Sequence, residues 1–123
     1  MIKFRAWDKV QKVMLTPRDI ETDSDGNVFY VEATGSNGEY DEGDLDVFKL
    51  EQFTGLKDVS GKDIYEGDIL ENRKYRSIVK FASGKFLADL IETIQTFDLI
   101  GETHGSKVIG NVHENPELLE VGK

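Results

Sequence analysis

The chain has 123 residues, enough for one domain that buries most of the surface its unfolded form would expose. It has no cysteine, which excludes a disulfide framework, a thiolate zinc site and a thiol nucleophile, and fits a reducing, intracellular setting. A formal net charge of −9 opposes direct nucleic-acid binding unless bases cluster locally.

That charge is unevenly placed. Residues 1–18 carry five Lys or Arg against one acid, whereas residues 19–46 carry ten acids and no base. One segment therefore makes the chain acidic, as a solvated loop or hairpin would. The opening MIKFRAWDKV is interrupted by charge at positions 3, 5, 8 and 9, unlike a signal peptide or membrane span, so the expected location is the cytoplasm.

Alternation dominates from the start. IKFRAW sets Ile2, Phe4 and Ala6 on one face and Lys3, Arg5 and Trp7 on the other, which predicts a strand. Asp8 to Gln11 turns into KVML to close a first hairpin. RDIETDSDGNVFYVEA predicts a second, with Asp25-Gly26 or Gly26-Asn27 supplying positive φ. TGSNGEYDEGD reads as a mobile loop over residues 34–44.

LDVFKLEQFTG alternates again, and the stretch after it is a series of turns. Asp58 to Gly61 fits a turn with Gly61 left-handed, and Glu66-Gly67 fits a second before a strand beginning at Asp68. SIVKFASGKFLADL predicts two strands around a Ser83-Gly84 hairpin. Residues 86–100 mix a helical spacing of Leu87, Leu90, Ile91 and Ile94 with strand-favouring Ile, Thr and Phe, and strand is the reading preferred. SKVIGNVH is a strand, and Asn115 followed by Pro116 predicts a short C-terminal helix.

Several groups invite a chemical reading. ETDSDGNVFYVE places Glu21, Asp23, Asp25, Gly26, Val28 and Glu32 near the spacing of an EF-hand calcium loop, but Pro17 before it and a glycine-rich loop after it favour a β-hairpin. Glu39, Asp41, Glu42, Asp44 and Asp46 offer oxygen ligands without a frame to fix them. Asp63, Glu66 and Asp68 read either as paired carboxylates for a metal-dependent hydrolase or nuclease, or as ordinary turn chemistry. His104 and His113 stand outside any metal-ligand spacing, no serine sits in a nucleophile elbow, and no phosphate loop is present. RKYR, Arg73 to Arg76, reads either as a phosphate contact or as a charged strand edge that resists pairing with other sheets. No residue is assigned as catalytic, cofactor-binding or metal-binding, and no cofactor is expected.

MIKFRAWDK at the start, QFTGLKDVSGKDIYEGDIL in the middle and VIGNVHENPELL at the end resemble, in that order, the YopX family of bacteriophage and prophage proteins. The three stretches cover about a third of the chain, and residues 15–47 and 71–104 carry no family motif. The resemblance implies a single mainly-β domain over 1–123 with a small Src-homology-3-like barrel, extra hairpins, a short C-terminal helix and homo-oligomeric assembly. It brings no activity and no site residue with it.

The expectation is a phage-encoded, non-enzymatic protein that self-associates and binds a host or phage protein, with no membrane contact. Trp7, Phe4, Phe53 and Tyr65 are the aromatics that would either make a subunit contact or fill the core. A rival is the carboxylate-based hydrolase. A third reading makes the 39–46 acids a DNA mimic that occupies a host nucleic-acid-binding protein.

Overall fold

The computed structural model describes residues 3–120. The chain divides into two compact units, Met1–Gln52 and Phe53–Lys123. Eleven strands form among the described residues, all paired antiparallel, and the only helical segments are two 3-10 turns.

In the first unit, β1 (Phe4–Asp8), β2 (Val13–Thr22), β3 (Val28–Thr34), β4 (Tyr40–Gly43) and β5 (Phe48–Lys57) lie in the order β4-β3-β2-β1-β5. Ala6, Leu15, Val31, Ala33 and Phe48 make its core. The first hairpin turns where expected. The buried Asp8 accepts the N–H groups of Val10 and Gln11 at Oδ1, both 2.9 Å, and holds Lys12 at φ +59° without a glycine. β1 departs from simple amphipathicity, because Ala6 and Trp7 point to opposite faces and both are buried.

Two expectations change in this unit. The strand that begins with KVML does not stop there but runs ten residues, through Pro17, pairing with β1 at its start and β3 at its end. The register slips between Pro17 and Asp19, a bulge that accommodates a residue with no N–H to give the ladder. Residues 34–44 are not a structureless loop. Gly35 to Glu39 closes a tight turn, with the Gly35 N–H donating to the Glu39 carbonyl (2.8 Å), and β4 returns antiparallel to β3 with Glu32 opposite Glu42.

The second unit contains a five-stranded sheet, β10-β9-β8-β7-β11, made from β7 (Asp68–Glu71), β8 (Arg76–Ala82), β9 (Lys85–Leu90), β10 (Thr96–Asp98) and β11 (Lys107–Asn111). The second half of β5 pairs here with β6 (Asp63–Tyr65). Ile64, Leu70, Val79, Ala88, Leu99 and Val108 form the core, with Leu56 and Phe86 packed against it. The Ser83-Gly84 turn has φ of +54° and +79°, the pair of positive angles a two-residue hairpin requires. Residues 86–100 are strand in two pieces, β9 and β10, joined by a turn, and a 3-10 turn follows over Leu99–Gly101.

Neither sheet returns its last strand to its first, so the described strands form two open antiparallel sheets and not a closed Src-homology-3-like barrel. The expected C-terminal helix is a single 3-10 turn, Pro116–Leu119. Pro116 sits at its start as predicted. Asn115 does not cap that turn, because its Oδ1 is engaged by the Asn111 N–H (3.1 Å). The RKYR stretch also moves from its expected place. Arg73 to Tyr75 form the loop between β7 and β8, and only Arg76 is in a strand.

Candidate interaction surfaces

The outer face of β2, β3 and β4 is built by period-two alternation. Val31 and Ala33 point into the core, so Tyr30, Glu32 and Thr34 point out. Directly opposed residues share a face. Asp19 stands opposite Glu32, Glu32 opposite Glu42, and Glu21 opposite Tyr30. Three carboxylates thus run in one row across three strands.

Two tyrosines tie that row together. Tyr30 Oη donates to Glu42 Oε2 (2.9 Å), while Tyr40 Oη donates to Glu42 Oε2 (2.7 Å) and lies 2.8 Å from Glu32 Oε2. The hydrogen bond to Glu42, then burial and the neighbouring negative charges, pushes the Tyr30 phenol up to about 12, and the Tyr40 phenol is raised by its bonds to Glu42 and Glu32. Reciprocally, the hydroxyls of Tyr40 and Tyr30 hold Glu42 below the usual carboxylate range. Glu21 is raised, because it shares a hydrogen bond with Asp19 and feels its charge.

The acids of residues 39–46 do not converge. Glu39 accepts the Asn37 N–H inside the Gly35 turn. Asp41 lies opposite Ala33 on the inner side, where its shared hydrogen bond with Asp8, followed by the Glu42 N–H and Gln11, lowers it despite partial burial. Glu42 belongs to the outer row, and Asp44 and Asp46 sit in the exposed turn before β5. The calcium-loop spacing of residues 21–32 is a hairpin. Asp23 Oδ1 accepts the N–H groups of Asp25 and Asn27 (2.9 Å each), and the Asn27 N–H leads the causes that lower Asp23.

The carboxylates of the central motif have structural duties. Asp63 pairs with Lys57, the buried Asp68 accepts the Tyr65 N–H (2.8 Å), and Glu66 lies half-buried in the turn before β7. Among the described residues, no group of three or more His, Asp or Glu is placed to hold a metal ion. His104 is exposed in a turn and His113 is half-buried next to Asn111, whose Oδ1 accepts the His113 N–H (3.0 Å). Trp7 is buried, whereas Phe4, Phe53 and Tyr65 are half-buried, with Phe53 packed on Tyr65 at a ring-centroid distance of 5.5 Å.

A second surface lies in the second unit. The β7–β8 loop, Ile91-Glu92 and the C-terminal 3-10 turn line a groove of about 470 Å3, with Arg73, Lys74 and Arg76 on one side and Glu92 and Glu120 also in its lining. A neighbouring hollow of about 310 Å3 continues past Ile91 to Ile78, Leu90 and a fully exposed Ile94. Sequence reading located RKYR but not this groove, since only the fold brings residues 91–92 and 118–120 beside it. The outer row was also missed, although Asp19 and Glu21 alternating with Ile20, and Tyr30 and Glu32 alternating with Val31 and Ala33, were its signal.

These features define an all-β protein built on two open antiparallel sheets. The chain belongs to the YopX protein family, whose model matches residues 3–120. It is similar to protein EF1440 from Enterococcus faecalis, at 30% identity over 98% of this chain and 99% of that one, with a TM-score of 0.69. It also shares its fold with yopX from Bacillus subtilis, at 23% identity over 98% and 97% of the two chains, with a TM-score of 0.61. No curated protein matches it. No helix among the described residues is long and apolar enough to cross a membrane.

Proposed function

We propose that this is a non-enzymatic, self-associating interaction protein of phage or prophage origin, acting in the cytoplasm of its host, whose outer sheet face docks a cationic protein surface. The carrying observation is the row Asp19, Glu32, Glu42. Like charges directly opposite one another destabilise a sheet, and a face needed only for solubility would alternate its signs. Here Glu32 and Glu42 are instead held by tyrosine hydroxyls, and tyrosine is an enriched interface residue.

Fixed, spaced carboxylates are also what a surface imitating phosphates needs, so a host nucleic-acid-binding protein is the partner class this face suits best. The hydrolase reading has less support, because Asp63 and Asp68 each have a structural role nearby. Self-association draws support from an open edge. All three residues of β10 are exposed, and so are the flanking Ile94 and Ile100.

The test is a tagged capture from host lysate with wild type and with Asp19→Asn/Glu32→Gln/Glu42→Gln. The proposal expects a defined cationic partner that the variant loses while keeping its circular dichroism. Equal capture by both proteins would refute it.

A further inference from the structure

We propose that the Asp44–Leu45–Asp46 turn of one copy docks in the Arg73/Lys74 groove of a second copy. The inference rests on the self-association reading above and names its contact. On the groove side, the β7–β8 loop is set by Asn72, whose Oδ1 accepts the N–H groups of Lys74 (2.8 Å) and Tyr75 (2.9 Å). Tyr75 is pinned in turn, its hydroxyl donating to Glu102 (2.6 Å) and its ring stacked on Phe97 at 5.9 Å. Arg76 is occupied by Glu71 and by the Leu118 carbonyl.

Arg73 and Lys74 differ from it. Both are exposed, and among the described residues neither makes an ion pair, whereas Arg5, Lys57, Lys80 and Lys85 all do. Half-buried Ile91 and Leu118 give the groove an apolar floor. The lining also holds Glu71, paired with Arg76, and the Glu92 and Glu120 carboxylates, so an acidic guest pairs with Arg73 and Lys74, the two lining cations outside an ion pair among the described residues. The matching occupant is an apolar knob flanked by carboxylates.

The turn before β5 is such a knob. Leu45 is 44% exposed between two exposed acids. Its backbone is already fixed, with Asp44 Oδ1 accepting the Asp46 N–H (2.8 Å), the Asp44 carbonyl accepting those of Val47 and Phe48 (3.1 Å each), and Lys9 Nζ donating to the Leu45 carbonyl (2.9 Å). A rigid tip loses little conformational entropy on docking. Because knob and groove are different patches, the contact closes either as a two-fold dimer with two reciprocal contacts or as a head-to-tail ring.

Sedimentation velocity on wild type, Arg73→Glu/Lys74→Glu, Asp44→Lys/Asp46→Lys and Leu45→Ser tests it, with far-ultraviolet circular dichroism confirming that each folds. The contact predicts that each variant alone assembles at least about tenfold more weakly than wild type. An equimolar mixture of the two charge variants should then form mixed assemblies, and added salt should weaken every assembly. A wild-type oligomer left unchanged by all three variants, or a mixture that stays unassembled, would overturn this contact and leave self-association standing. A wild type that is monomeric to about millimolar concentration would overturn both.

Discussion

At Asp58 one carboxylate builds the turn that the central motif encodes. Its Oδ1 accepts the N–H groups of Ser60 and Lys62 and the Ser60 hydroxyl, and its Oδ2 reaches the Val108 N–H on β11 (2.8 Å). Burial pushes the group up, yet these four donors outweigh it and bring it from its ordinary 3.8 to about 2. A depressed acid contributes stability that is fully present above the unfolded value of 3.8 and is lost as pH falls through about 2. Asp58→Asn should therefore flatten that part of the unfolding curve between pH 4 and pH 2, and Asp58→Ala, which strands buried N–H groups, should cost about 3 kcal/mol at neutral pH. Chemical denaturation across that pH range reads both. The end motif works similarly at Gly110, where an added Cβ would lie 2.5 Å from Asn115 Oδ1 and 2.9 Å from its Cβ. Gly110→Ala should cost roughly 1–3 kcal/mol by crowding, and less when combined with Asn115→Ala.

Among the elements, the β2–β3–β4 meander is the one whose stability and surface oppose each other. If the Asp19–Glu32–Glu42 row is retained for binding, removing one charge should stabilise the fold. Glu32→Gln removes the like charge and keeps a polar group beside the Tyr40 hydroxyl, to which its amide can donate, so its melting temperature should rise by about 2 °C, and added salt should narrow the difference. Spectrophotometric titration at alkaline pH should find Tyr30 ionising near 12 and Glu42→Gln returning it toward 10. An unshifted Tyr30 would mean that the hydroxyl–carboxylate bridge is absent in solution.

These elements also show where sequence sufficed. Asp25-Gly26, Gly61, Glu66-Gly67 and Ser83-Gly84 marked their turns correctly, because positive φ and side-chain-to-backbone bonding are local properties. β4 escaped, since a four-residue edge strand with two acids and a glycine has no apolar alternation to announce it, and its order comes from pairing with β3. KVML and RDIET read as arms of two separate hairpins, but they are one strand, β2, which passes through Pro17 by way of a bulge. The 3-10 turn at Pro116–Leu119 stands where a helix was expected because Glu120 is already extended (ψ 138°) and Asn115 is committed to Asn111.

Across the whole chain, the recognisable motifs and the proposed working surfaces share little beyond Leu118, which belongs to the end motif and lines the groove. The middle and end motifs carry Asp58, Gly110, Asn111 and Asn115, which set turns and anchor β11, so the family resemblance is largely a record of how the second unit is held. The outer acidic face and the Arg73/Lys74 loop fall in segments without family motif, and neither was legible as a surface until cross-strand register and topology placed the residues together.

The central claim, that the outer sheet face docks a cationic partner, is tested most directly by quantitative capture from host lysate with a matched control. Asp19→Asn/Glu32→Gln/Glu42→Gln and Asp25→Asn/Glu114→Gln/Glu117→Gln remove the same number of charges, the first from the row and the second from exposed positions outside both proposed surfaces. The account predicts that a basic, nucleic-acid-binding protein is retained by wild type and the control variant and lost by the row variant. Equal retention by all three, or equal loss by both variants, would contradict it.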